Sequence, residues 1–210
     1  MAFSTYSGPL AGDILGSGGD GSGLAGRFLI AMPQLDGGPF AQSVVLICSH
    51  DEDHAFGLVV NKPIQGLNVS DIVSEMDINP SPSSLMRAVH FGGPVDMQRG
   101  ALLHSLDYRT DETLIVAPSV GLTATKPALQ AINADEGPRD AILFMGHAGW
   151  GPGQLDEEIK ANVWLDADGD PSFIFGEDPD SAWDHALGTL GVSEAMLSAV
   201  AVHDQGPLPN

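Results

Sequence analysis

The pattern of its apolar segments predicts an α+β protein built as a single domain. Short runs rich in Val, Ile, Leu and Phe recur through the first two-thirds of the chain, and segments with helical spacing cluster towards the end. No regular strand-helix alternation connects the two groups, which argues against a doubly wound parallel sheet. With 210 residues the chain is long enough to bury most of its apolar surface in one core and short for two. Its composition, 43% hydrophobic and 17% charged, is that of a globular protein and not of a disordered chain.

Residues 1–24 hold seven glycines, five of them between Gly16 and Gly23. Backbone entropy opposes order in such a stretch, so a flexible leader is expected ahead of a domain over 25–204 and a tail at 205–210. Strands are expected at 28–32, 44–48, 56–60, 89–91, 114–116, 141–145 and 173–175, each short and bounded by Gly, Pro, Asp or Asn. Ser70 stands where it would cap a short helix bearing Ile72, Val73 and Met76. Pro127 opens another over 126–134, with Ala128, Leu129 and Ile132 on one side. Over 154–164, Leu155, Ile159 and Val163 form an i, i+4, i+8 stripe, while Asp156, Glu157 and Glu158 suit the positive end of a helix dipole. A last helix starts near Ser181, turns Trp183, Leu187 and Leu190 inward and stops at Gly191.

Charge narrows the functional classes. Against 28 acids stand 8 bases, a formal charge of −20, which repels nucleic acid and anionic lipid. The expected helices at 126–134, 154–164 and 181–190 carry Lys126, Lys160 and no base, so no recognition helix is available for direct DNA binding. Cys48 is the sole cysteine, which excludes an intrachain disulfide or a cysteine-based zinc site and fits a reducing compartment. No base occurs before Arg27, and no apolar run approaches the roughly 18 residues of a membrane span. A cytoplasmic protein is therefore expected.

Three ordered sets of motifs carry a family resemblance. The first comprises 26–33 (GRFLIAMP), Phe40, 43–50 (SVVLICSH) and 57–63 (GLVVNKP). The second is 91–95 (FGGPV), and the third is 149–155 (GWGPGQL) followed by Glu158-Ile159, Asn162 and Trp164-Leu165. In that order they resemble the YqgE/AlgH family of bacterial proteins, across about residues 24–203. The resemblance implies a branched mixed sheet closing into a pseudo-barrel with a few flanking helices. It also implies a protein labelled either uncharacterised or a transcriptional regulator, with no assigned catalytic residue. The chain departs from the pattern at Ala41 and Gln42, where many members carry bases, at His54 in place of Gly, and at His147 in place of Tyr.

Cys48 and His50 are the candidates for catalysis. They lie two apart at the end of an apolar strand, so a regular strand would put both on one face, where an imidazole could activate the thiol. Against this, a free cysteine is most often a small buried hydrophobe. His50 and His54 flank three acids in a turn, a pattern more often solvated than ligating, so no metal is expected. The glycines at 149–153 precede acids that would repel a phosphate, and the Walker lysine is missing, so no nucleotide cofactor is expected either.

The remaining motifs end apolar runs, where a rigid sheet presents polar groups. Asn61, Lys62, Gly92, Gly93, His147 and Trp150 are therefore the candidate ligand-binding residues, provided that their turns meet at one rim. Trp150 would supply a wall, His147 or Asn61 hydrogen bonds, and Lys62 a cation. The expected partner is a small molecule or another protein, with neither nucleic acid nor membrane bound directly. An enzyme using Cys48 and His50 and a direct DNA-binding regulator are the alternatives.

Overall fold

A computed structural model describes residues 23–197 apart from 170 and 177. The expected leader, except for Gly23 and Leu24, and the expected tail lie outside the described residues. In chain order the elements are β1 (Phe28–Ala31), β2 (Val44–His50), β3 (Ala55–Val59), β4 (Pro63–Asn68), α1 (Val69–Glu75), β5 (Ala88–Phe91), β6 (Val95–Ser105) and β7 (Leu114–Ala117). They continue with β8 (Val120–Thr123), α2 (Lys126–Asn133), β9 (Ala141–Trp150), α3 (Gln154–Lys160), β10 (Trp164–Ala167), α4 (Pro171–Gly176) and α5 (Ala182–Thr189).

The strands form one mixed sheet in the order β10-β1-β2-β3-β9-β6-β8-β7, with β5 and then β4 branching from β9. It is a single domain: the sheet curls into a half-barrel, and helices flank it. Alternation along the strands sorts the apolar side chains. Phe28, Ile30, Leu46, Leu58, Leu103 and Phe144 fill the concave interior, which Ile174 of α4 and Trp183 and Leu187 of α5 close. On the other face Leu29, Val45, Ile47 and Val59 meet Leu155 of α3. Val89, Leu102 and Leu143 meet Val73 of α1 and Leu129 of α2. No helix among the described residues is long and apolar enough to cross a membrane.

The branch is made at β9. One edge of β9 pairs with β6, at Val95↔His147 and then from Gly100↔Met145 to His104↔Ala141. The other edge changes partner: β5 runs parallel to its first half at Val89↔Leu143 and Phe91↔Met145, and β3 runs antiparallel to its second half at Gly57↔Ala148 and Ala55↔Trp150. Between the two partners lies Gly146, with φ +72°. Gly92 and Gly93 thread the gap so closely that a Cβ on Gly92 would stand 2.2 Å from the Gly146 carbonyl oxygen, and one on Gly93 2.1 Å from the His147 carbonyl carbon.

Several expectations are corrected. Residues 173–175 lie in helix α4, not in a strand. A short apolar run does not distinguish a buried strand from a helix, and here Pro171 starts a helix that lays the run across the barrel mouth. The longest strand, β6, has five exposed residues before its buried half and so shows no continuous apolar run. Pro63 begins β4 opposite His90, a place that an edge strand allows a proline. Asn68, not Ser70, precedes α1: its N–H donates to Asp71 Oδ2 at 2.8 Å, and Ser70 is buried in the first turn. The third helix stops at Lys160, because Asn162 turns to φ +55° and Trp164 enters β10. Leu190 is exposed rather than inward.

Replacing Gly93 by Ala is expected to lower stability by at least about 3 kcal/mol, since a Cβ there overlaps backbone that cannot retreat without breaking the branch. Gly66 (φ +75°) has nothing within 4 Å of a built Cβ, so its replacement by Ala carries only the conformational penalty of about 1 kcal/mol. Urea titrations of the two variants check the contrast.

Candidate functional site

The pairing of Cys48 with His50 does not form. Ile47 faces Gly57 and Ser49 faces Phe56, so Cys48 is the extra residue of a β-bulge. The bulge reverses the alternation that a regular strand would keep. Cys48 enters the concave interior with Leu46, whereas His50, opposite Ala55, emerges on the α3 face. There its Nδ1 accepts the Leu24 N–H at 3.2 Å, and its Nε2 lies 3.7 Å from Asp156. Burial pushes the Cys48 thiol far up, and its Sγ sits 3.7 Å from the Leu46 carbonyl oxygen. His54 Nδ1 lies 3.0 Å from Asp51, so the two histidines of this turn address different carboxylates.

Lys62, Gly92, Gly93 and His147 meet at the branch. Gly92 accepts the Val59 N–H and donates to the Met145 carbonyl, both at 2.8 Å, while the Phe91 N–H reaches the Lys62 carbonyl at 2.8 Å. His147 lies within β9 instead of at a turn, packs its ring 4.9 Å from that of Phe56, and is held below the ordinary imidazole range by burial. Lys62 Nζ donates to the Pro39 carbonyl at 2.9 Å, and burial lowers its pKa, so the ammonium pins the loop before β2.

Trp150 is three residues beyond His147 and therefore on the opposite face. Its indole N–H and that of Trp164 both donate to Glu158 Oε2 at 2.8 Å. Charge-assisted hydrogen bonds of this kind hold α3 to the sheet, a role for Glu158 that its place among three consecutive acids concealed. Gly153 takes φ +67° and turns the chain into α3.

Asn61 is anchored on both sides. Its Oδ1 accepts the Val44 N–H and its Nδ2 donates to the Gln42 carbonyl, each at 2.9 Å, which fixes the orientation of the amide. Beside it a cavity of about 170 Å³ opens at the barrel mouth. Asn61, His90 and Ile142 line it on the sheet side, and Phe173, Phe175 and Ala182 on the α4 and α5 side. Of the six expected residues only Asn61 reaches it. His90 and the α4 phenylalanines were not legible as site residues: His90 sits unremarked in a strand, and the helix that brings the phenylalanines over reads as one.

His90 is buried, with its ring edge-on to Phe144 and its Nδ1 3.3 Å from the Val60 carbonyl oxygen. A carbonyl only accepts, so Nδ1 carries the proton, and Nε2 keeps a lone pair with no partner among the described residues. Burial holds His90 below the ordinary range, which keeps it neutral. His104, fully buried, contrasts with it. Nδ1 donates to the Ser105 carbonyl at 3.0 Å, Nε2 accepts from the Thr123 hydroxyl at 2.9 Å, and Thr123 in turn lies 2.9 Å from the Thr113 hydroxyl.

Comparison with known proteins places the fold and the motifs in context. The sequence model of a family described as AlgH-like matches residues 28–195. A UPF0301 protein of Ruegeria pomeroyi is 47% identical over 182 residues, 86% of this chain and 98% of its own. Another from Caulobacter vibrioides is 43% identical over 184 residues, 87% and 94% of the two chains. The solution structure of the AlgH protein from Pseudomonas aeruginosa superposes with a TM-score of 0.74 at 32% identity, covering 91% of this chain and 99% of that one.

Two outcomes follow from this geometry. The native protein is expected to resist iodoacetamide at pH 7 while the urea-unfolded chain reacts, and Cys48→Ser is expected to lose about 1–3 kcal/mol by burying a hydroxyl. Mass spectrometry and urea unfolding measure the two effects. His90, His104 and His147 are all held down by burial, so the unfolded chain takes up protons first. Their contribution to stability is complete above the unfolded imidazole value of about 6.5 and is lost as the pH falls through it. The change in urea midpoint between pH 7.5 and 5.5 is expected to shrink in His147→Phe, which keeps the packing on Phe56 and removes one titrating group.

Proposed function

The chain belongs to the AlgH-like family, and from that premise we propose that it is a small-molecule-binding protein whose ligand occupies the cavity between the sheet and α4–α5. One observation carries the proposal: at the mouth of the half-barrel a cavity brings two oriented polar side chains, Asn61 and His90, together with Ile142, Phe173 and Phe175. Ligand sites combine hydrocarbon with a few fixed polar groups that set orientation, and barrel mouths commonly hold them. A cavity of this size suits a compound well below drug size.

The alternatives have less support. An enzyme based on Cys48 would need a thiolate, and Cys48 is buried in hydrocarbon on the face opposite His50. Direct DNA binding would need clustered bases, yet the chain carries −20, and Lys160 of α3 is 3.0 Å from Glu157. Regulation by this protein would accordingly run through a partner that senses the covering helices α4 and α5, in a cytoplasmic setting.

The proposal is tested by titrating the isotope-labelled full chain with single-ring fragments. Shifts are expected at Asn61, His90 and Ala182, and are expected to vanish in Ile142→Trp, which fills the cavity. Circular dichroism establishes that the variant is folded. Failure of every fragment to shift these residues in the wild-type protein, or shifts confined to another surface, overturns the proposal.

A further inference from the structure

We propose that the ligand is an uncharged, single-ring compound that donates an O–H or N–H hydrogen bond to Nε2 of His90 and lays its ring against Phe173 and Phe175, phenol being the simplest member of the class. This inference rests on the cavity being the binding site and adds the chemistry of what enters it.

Three properties of the cavity select that class. The first is polarity. Because Nδ1 of His90 donates to the Val60 carbonyl, Nε2 is an acceptor, and it has no partner among the described residues. A group that arrives with only lone pairs, such as a carboxylate or an ether, would set acceptor against acceptor. The second is charge. Among the described residues that line the cavity none is Asp, Glu, Lys or Arg, so none of them offers a bound ion a counter-charge.

Lys62, the nearest cation in sequence, has its ammonium on the Pro39 carbonyl and does not line the cavity. The third property is size and shape. The volume of about 170 Å³ is close to that of an apolar protein cavity of about 150 Å³ that accepts benzene, so one ring fits and two do not. Phe173 and Phe175 line the cavity, and Phe173 already packs its ring 5.2 Å from that of Phe28, so an entering ring would extend an aromatic cluster.

Specificity follows from the lone acceptor. A site built around one buried hydrogen-bonding group discriminates strongly against an analogue that leaves the group unpaired, and weakly against changes in hydrocarbon. His90 is thus the specificity-determining residue, and Asn61, locked by Val44 and Gln42, is a rigid wall beside it.

The experiment uses the full chain at pH 7.5 and four probes of one size: phenol, toluene, benzoate and benzylamine. Binding is measured by shifts of the amides around the cavity, and the Nε2 resonance of His90 is followed directly in the wild-type protein. Phenol is expected to bind at least about tenfold more tightly than each of the others and to move the Nε2 resonance. His90→Asn keeps a donor towards the Val60 carbonyl and removes the Nε2 acceptor, so it is expected to bring phenol down to the affinity of toluene. Toluene, benzoate or benzylamine binding in the cavity as tightly as phenol, or phenol binding with no movement of Nε2, overturns the ligand class and leaves the cavity as a binding site. Shifts at the cavity from none of the four probes overturn both.

Discussion

The architecture depends on a backbone-to-backbone approach at Gly92, Gly93 and Gly146 that no side chain can share. A strand has two edges, and β9 uses one for β6 and divides the other between β5 and β3. Such a division requires the departing strand to leave its neighbour within one or two residues, before the next strand arrives. Gly92 makes the junction: its N–H binds Met145 on β9 and its carbonyl binds the Val59 N–H on β3, each at 2.8 Å, so both of its backbone groups are paired. The curl of the sheet, and hence a concave interior rather than a flat face, follows from this fork and from the bulge at Cys48.

The fork also explains why polar side chains collect where they do. It brings the end of β3 beside β5, so Asn61 and His90 are set on a rigid frame at the rim of an otherwise hydrocarbon interior. Asn61 ties the start of β2 to the loop before it, and Lys62 ties that loop again through Pro39. The other face is secured by one carboxylate: Glu158 receives two indole N–H groups, so α3 is held by directional bonds as well as by Leu155. Motif residues that look alike in the sequence thus divide into two kinds. Gly92, Gly93, Trp150 and Glu158 hold the frame, and Asn61 borders the space that the frame encloses.

Much of the fold was legible in the chain itself. Six of the seven expected strands contain or overlap observed ones, because Val, Ile and Leu runs buried on both faces read as continuous apolar segments. Four strands were missed: β6, β4 and β10, which carry polar or exposed positions, and the buried β8, whose VGLT sequence is too short and too interrupted by Gly121 to read as an apolar run. The site was less legible for a different reason. Lys62, Gly92 and Gly93 mark the fork, but the alternation of β9 sends His147 and Trp150 to opposite faces, and part of the cavity wall comes from α4, whose apolar run is ambiguous between helix and strand. A β-bulge changes which side chains are neighbours without any signature in composition, which is why Cys48 and His50 look adjacent in sequence and are not in space.

The two buried histidines show what separates a structural polar group from one left open to a ligand. His104 sits at the far end of β6 with both ring nitrogens engaged, and the chain of hydroxyls beyond it passes each proton to a defined acceptor. Such a group is complete, and any molecule approaching it would have to break a bond to make one. His90 is as apolar in its surroundings, yet one nitrogen is spent on Val60 and the other faces no described donor. Ser43 and Thr125 carry buried hydroxyls without partners among the described residues, and neither lines this cavity. At His90 an open ring nitrogen, a cavity beside it and two phenylalanine side chains come together. That coincidence, rather than any one of the three, is what makes the barrel mouth suited to a ligand.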